Sequence, residues 1–532
     1  MATTTTSSTV GRGFRRVLKA LDITLFTVCA ILVLDTLAPA AAIGPAGISW
    51  WVITLVLFFI PYGLITAELA TTYPQQGGLY VWIYRAFGER WAARATWLYW
   101  VNVALGMPSI YILFAGMCAQ MFFPALELWA QIGIGIALTW ATVWIGIVAL
   151  QVGKWVPNLG AMLKAGIMLV LGVGSFFYAA RNGVANDLSL RNILPTWDAG
   201  LFFLPVIVFS FMGFEVSSSA AEEMTNPKRD VPRAIVVSGL LIALFYVAGT
   251  VGMLVALPLE DLGLIEGIVD TLRAIFGDSG TGGALVTALG IAALYTLFAT
   301  MVTWTMAANR SAAEAAAEGV LPAIFARLHP THRTPVGGLF LTGLVSTGEL
   351  LLYGLVSRTS EQLFWTLYAF ATIVFLLPYL ALFPAFLLLR WKDRDAQRPY
   401  QVPGGTAVAV ALALLGEIFM LQAVVFFVWV PGQPIDISFA LPIVLGVAAT
   451  WIVGEVLLEA ARRRESPVAP WWWALLLLLP PAGLVGFAAV RGIPQRQRLS
   501  ALGLGLLWCA LLVAGAILWP RIAAGALGGA TP

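Results

Sequence analysis

A dozen apolar runs, each long enough to cross a bilayer, follow one another along this chain, and no other feature restricts its fold so severely. A helix needs roughly 20 apolar residues to span the hydrocarbon core. Such runs lie near 22–43, 49–73, 95–123, 130–150, 157–180, 200–222, 234–256, 284–308, 336–356, 363–389, 406–430 and 437–459, and two more follow at 470–490 and 500–519. In lipid every backbone N–H and C=O must be satisfied within the protein, so these runs specify an all-α polytopic membrane protein. Composition agrees: 60% of the residues are hydrophobic and only 11% charged, too apolar for a soluble domain.

The basic residues set an orientation. With the N-terminus in the cytoplasm, 21 Lys and Arg up to residue 470 fall inside, among them Arg12, Arg85, Arg94, Arg229 and Arg390, against only Arg181, Arg191, Arg273 and Arg358 outside. A cytoplasmic N-terminus and an external acidic loop at 257–283 are the expectation. The polar opening MATTTTSSTV reads as a disordered tail, and the first apolar run shows no small-residue cleavage site, so the first span is expected to be retained. The last two runs strain this scheme, because two full crossings leave Arg491, Arg496 and Arg498 outside and Pro480-Pro481 bisects the earlier run. Fourteen crossings are the preferred count, and a re-entrant hairpin over 470–490 is the alternative.

Several function classes lose support on inventory alone. The net charge of +3 is spread over short loops, which disfavours a nucleic-acid partner. Cys29, Cys118 and Cys509 each sit in an apolar run, and His329 and His332 share one loop, so neither a disulfide framework nor a metal or cofactor site is expected. A membrane-embedded enzyme would need a cluster of nucleophile, base or metal ligands, which this inventory does not offer. PQQGGLYVW lacks the GKS/T element of a phosphate-binding loop, which removes support for ATP-driven pumping. No acidic ring or filter-like loop suggests a channel.

The stretch FSFMGFEVSSSAAEEMTNPKRDVPRA at 209–234 reads as an interrupted transport helix: Ser210 and Gly213 break an apolar span, Glu215 lies inside it, and a basic loop ends it. Unwound backbone frees amides and carbonyls for a solute, whereas a merely kinked structural helix is the plainer alternative. Other ionisable residues fall within or beside apolar spans: Asp35, Glu68, Lys164, Glu349, Glu417 and Glu455. Each costs on the order of 2.5–3.5 kcal/mol at a helix centre on insertion scales. Asp35 stands beside Thr36 and ahead of Pro39, which frees a helical carbonyl, so a carboxylate and a carbonyl are available to an ammonium group. A buried ion pair with Lys164 is the competing use of Asp35. Glu68 reads as a cap or structural pair, and Glu417 and Glu455 as polar contacts near an interface.

Four blocks carry a family resemblance: PYGLITAELATTYPQQGGLYVWIYRAFG at 61–88, the 209–234 stretch, TWTMAANRSAAEAAAEGVLPAIFARLHPTHRTPVGG at 303–338, and LLPYL at 376–380 with RPYQVPGG at 398–405. Over residues 20–460 the chain resembles the amino acid–polyamine–organocation superfamily of permeases, and is most similar there to the bacterial glutamate/GABA antiporter group. The resemblance implies a LeuT-type core of two inverted five-helix repeats, with substrate held near the midplane between broken first and sixth helices. One block departs: where the family usually carries a Gly-Ser-Gly-like break, this first span reads ILVLDTLAPAAAIG, so the usual cradle for a substrate carboxylate is not matched. By resemblance Lys164 is similar to a lysine whose ammonium takes the place of sodium in some members. Phe209 is similar to an aromatic over the substrate, Trp304 to a tryptophan blocking the inner path, and Tyr99 and Tyr379 to gating tyrosines.

The resulting expectation is secondary active transport of amino acids across the plasma membrane by alternating access, through proton-linked symport or exchange, with polyamines or other organic amines as alternative substrates. Asp35, Thr36, Phe209, Ser210, Gly213 and Trp304 are the expected substrate contacts, Lys164 and Glu215 the proton carriers, and Tyr99, Trp304 and Tyr379 the gates. The chain divides into a tail (1–20), a ten-helix core (21–390), helices 11 and 12 (391–464) and two further membrane helices with a tail (465–532). Its partners are a small-molecule substrate and the lipid bilayer.

Overall fold

The computed structural model describes residues 24, 28, 31–73, 78–148, 155–197, 199–214, 227–355, 357–461, 499 and 501–511, and every regular element among them is helical. The first span is helical at Ile31, unwinds over residues 32–36 and resumes as α1 (Leu37–Ala41). Then come α2 (Ala46–Thr72, with a π turn at Leu55–Phe59), α3 (Leu79–Phe87), α4 (Glu89–Phe122), α5 (Leu128–Val148) and α6 (Trp155–Asn182). The sixth span holds α7 (Leu204–Ser210), followed by α8 (Pro227–Ala256), α9 (Gly267–Phe276), α10 (Gly280–Ala317), α11 (Val336–Gly354) and α12 (Ser360–Lys392, tightened to a 3-10 turn at Leu377–Ala381). Last are α13 (Gly405–Phe426), α14 (Ile437–Ala461) and α15 (Ala501–Leu511).

Ten of these helices are long and apolar enough to cross a membrane. With the two broken spans they account for the twelve apolar runs up to residue 459. The 470–490 run lies outside the described residues. Two short helices were not legible as apolar runs: α3 and α9 are amphipathic and lie at opposite ends of the bundle.

The middle of the fold is α4. Its most apolar stretch is 78% buried, against 28% for α13 and 22% for α14, so the latter two are peripheral and α4 is a core element. It packs against α5, α10, α11 and α12. Lipid gives no hydrophobic drive for helices to associate, so close approach depends on small residues. Between α6 and α8 this is literal: a Cβ on Gly172 would stand 2.9 Å from Ala248 Cβ, and one on Gly252 would stand 2.9 Å from the Leu171 carbonyl oxygen. Inside α4, Pro108 leaves the Ala104 carbonyl without its helical donor, and Ser346 Oγ of α11 donates to it at 2.6 Å.

The intramembrane carboxylates divide by partner. Glu68 on α2 accepts from Arg390 Nε at 2.7 Å and from the Val402 amide at 2.8 Å, with Arg398 Nε 3.5 Å away. Glu455 pairs with Arg94, tying α14 to α4. Glu349 is buried with neither oxygen hydrogen-bonded among the described residues, and one oxygen of Glu417 is in the same state.

Candidate functional site

The breaks in the first and sixth spans meet, and the contact follows from local chemistry. Pro39 has no N–H to give the Asp35 carbonyl, so the turn before α1 cannot close as a regular helix. The unwound backbone is held from α8 instead: the Tyr246 hydroxyl accepts from the Val33 amide at 2.9 Å and donates to the Ile31 carbonyl at 3.0 Å. Tyr246 stacks on Trp51 (centroids 4.6 Å apart, planes 10° apart), and Trp51 Nε1 donates to Thr250 at 2.9 Å. In the sixth span α7 stops at Ser210, and Gly213 adopts φ +122°, a backbone conformation that L side chains rarely adopt. A Cβ at 213 would also stand 3.2 Å from Ile31 Cγ1.

Beside these breaks lies a cavity of about 80 Å³. Ile31, Val33 and Asp35 form the wall from the first break, with Phe209 and Met212 from the sixth. The opposite wall comes from α4 (Asn102, Ser109), α10 (Thr300, Trp304) and α12 (Tyr368, Thr372, Phe375). Asp35 is the one charged residue in the lining among the described residues. The aromatic side is continuous: Phe209 meets Tyr368 edge-on at 5.8 Å and Phe375 at 5.4 Å, and Phe375 stands perpendicular to Trp304 at 6.1 Å.

The expected site residues fall into layers. Asp35, Phe209 and Trp304 line the cavity. Thr36, Ser210 and Gly213 frame the two breaks behind it, and the hydroxyls of Thr36 and Ser210 approach the Tyr246 hydroxyl. Tyr99 lies 6.3 Å beyond Trp304, and Tyr379 is fully buried 4.9 Å behind Phe375, so both back the lining rings and neither touches the cavity. Lys164 on α6 is buried within electrostatic reach of Asp35 and outside the lining. Glu215 lies outside the described residues.

Sequence reasoning missed Tyr246, and it missed the polar wall of Asn102, Ser109, Thr300 and Thr372. A usable signal existed for Tyr246, since a lone tyrosine deep in an apolar span needs a hydrogen-bond partner that lipid cannot supply. The wall residues carry none, because Ser and Thr satisfy themselves on their own helices: Ser109 donates to Gly106 and Thr300 to Thr296.

Comparison with known proteins agrees with this geometry. Residues 18–453 match the family model for amino acid permeases. The chain is 33% identical over 438 residues to the "Probable agmatine/putrescine antiporter AguD" of Lactococcus lactis, covering 82% of this chain and 93% of that protein. It is 25% identical over 385 residues to the glutamate/gamma-aminobutyrate antiporter of the same species, covering 69% and 75% respectively. Among solved structures it superposes on MhsT, crystallised with L-phenylalanine, with a TM-score of 0.53 at 14% identity, covering 78% of this chain and 99% of that one. That likeness establishes the LeuT-type fold.

Proposed function

This chain belongs to the amino acid permease family, and we propose that it exchanges organic amines of the agmatine and putrescine kind across the plasma membrane by alternating access. One observation carries the choice of amines: among the described residues, the only charge in the cavity lining is the Asp35 carboxylate, set among apolar, aromatic and uncharged polar side chains. A buried carboxylate is costly until an opposite charge meets it, and aromatic faces attract the same cations. An α-amino acid brings its own carboxylate, and the described lining holds neither Lys nor Arg to receive it. The 33% identity to an antiporter named for agmatine and putrescine supports the same reading.

In this reading the N-terminus and the face carrying Arg85, Arg94 and Arg390 are cytoplasmic. Residues 21–390 form the transport core, 391–464 hold the eleventh and twelfth spans, and 465–532 hold the last two. Transport rather than chemistry is the role, as it is for the permease and antiporter relatives.

The deciding experiment is counterflow in liposomes. Vesicles loaded with putrescine should accumulate labelled agmatine, whereas vesicles loaded with glutamate should not. Equal accumulation from both loads, or none from putrescine, overturns the amine assignment.

Lys164 and Glu215 manage the proton in this scheme, with Lys164 supplying the positive charge that a bound sodium would otherwise bring. Lys164→Ala is expected to slow exchange by at least about tenfold, the factor that ~1.4 kcal/mol represents, and to flatten its pH dependence. Uptake that follows a sodium gradient and ignores pH overturns this role.

A further inference from the structure

We propose that Tyr246 is a specificity-determining residue: its hydroxyl occupies the backbone groups of the first break that would otherwise receive a substrate carboxylate, and so restricts the cavity to amines. This rests on the amine reading above and adds a cause for it.

The argument starts from what unwinding a membrane helix exposes. Residues 32–36 leave the regular ladder, and free amides at such a break are natural donors to an anion, because in lipid no water competes for them. Val33 belongs to the cavity lining, and its N–H is one of the donors of the break. That N–H already donates to the Tyr246 hydroxyl, and the same hydroxyl donates onward to the Ile31 carbonyl. One hydroxyl therefore closes both a donor and an acceptor of the break. A phenol is neutral, so it satisfies the break without bringing a charge to compete with Asp35 for the substrate ammonium.

Position is fixed as firmly as chemistry. The ring is completely buried, stacked on Trp51, and Trp51 is held by its bond to Thr250. Phe211, just past the end of α7, packs edge-on against Trp51 at 5.3 Å and against Tyr246 at 6.5 Å. The hydroxyl is therefore presented by a rigid stack contacted from both broken spans.

Putrescine and ornithine test this directly, since ornithine is putrescine bearing an α-carboxylate. Both affinities are measured by titration on the purified full-length protein, for wild type and for Tyr246→Phe, which keeps the ring stack and removes only the hydroxyl. The wild type should favour putrescine, and the variant should narrow that preference by about tenfold as Val33 N–H and Ile31 C=O come free, the step that ~1.4 kcal/mol represents. A merely structural role would lower both affinities together and leave the ratio unchanged, which overturns the proposal. Should Tyr246→Phe fail to fold, Thr250→Val loosens Trp51 beneath the ring and should shift the ratio the same way by a smaller factor; an unchanged ratio there also overturns it. A wild type that prefers ornithine instead refutes the amine reading itself, so the two failures are distinguishable.

Discussion

Asp35→Asn is expected to weaken putrescine binding by about 1.5–3 kcal/mol, the range of a hydrogen bond to a charged group, or about 10- to 150-fold in Kd. Asn keeps the shape and one acceptor, so the loss isolates the charge. The full Coulomb energy of a buried pair is larger, but the free site already bears part of the cost of burying Asp35, and only the difference appears in binding. Two uses of this carboxylate remain separable. If it binds substrate ammonium, affinity falls while thermal stability changes little. If it mainly neutralises Lys164, which lies within its electrostatic reach, the substitution strands a buried ammonium, costs roughly 3–5 kcal/mol of stability, and leaves affinity intact. Titration calorimetry alongside a melting curve on the same preparation decides between them, and unchanged affinity in a destabilised protein refutes the binding role.

The fold was legible because a bilayer leaves few choices. Run length alone placed ten crossing helices, most ends within about four residues, since an exposed backbone in lipid has no alternative to a helix; α4 and α8 begin six and seven residues before their runs and α10 ends nine after its own, where the helices continue past the apolar stretch. The breaks were legible too, because Pro39 and Gly213 act locally through a missing N–H and a permitted positive φ. What the sequence concealed is pairing across distance. Nothing near Val33 announces that its amide meets a hydroxyl 213 residues away, and nothing near Tyr99 or Tyr379 announces that each lies behind another ring. Family resemblance singled out those two tyrosines as gates. Their depth behind Trp304 and Phe375 follows from packing, which a single sequence does not record. Glu68 shows the same limit in a charge: its span was evident, but both of its arginine partners come from beyond residue 389.

Removing that carboxylate should produce the largest stability loss. Glu68 is 2% exposed by side chain, and Arg390 and Arg398 beside it are 15% and 9% exposed. It accepts two bonds from Arg390 and one from the Val402 amide, thereby fastening α2 to the end of α12 and to the RPYQVPGG loop. Its negative charge is shared by two guanidinium groups, so Glu68→Ala leaves both half-buried cations without it and the Val402 N–H without an acceptor. The expected cost is about 3–5 kcal/mol, most of it from stranded charge rather than lost attraction. Glu68→Gln should cost less, since an amide oxygen still serves the Val402 N–H. The decisive comparison adds Arg390→Met and Arg398→Met to Glu68→Ala: with no cation left to strand, the triple variant should regain most of the lost stability, because apolar replacements for a buried ionic cluster are often neutral. Denaturant titration of detergent-solubilised protein reads all three. A Glu68→Ala protein within about 1 kcal/mol of wild type, the range of an exposed pair, would show that water reaches this cluster and that the fold does not depend on it.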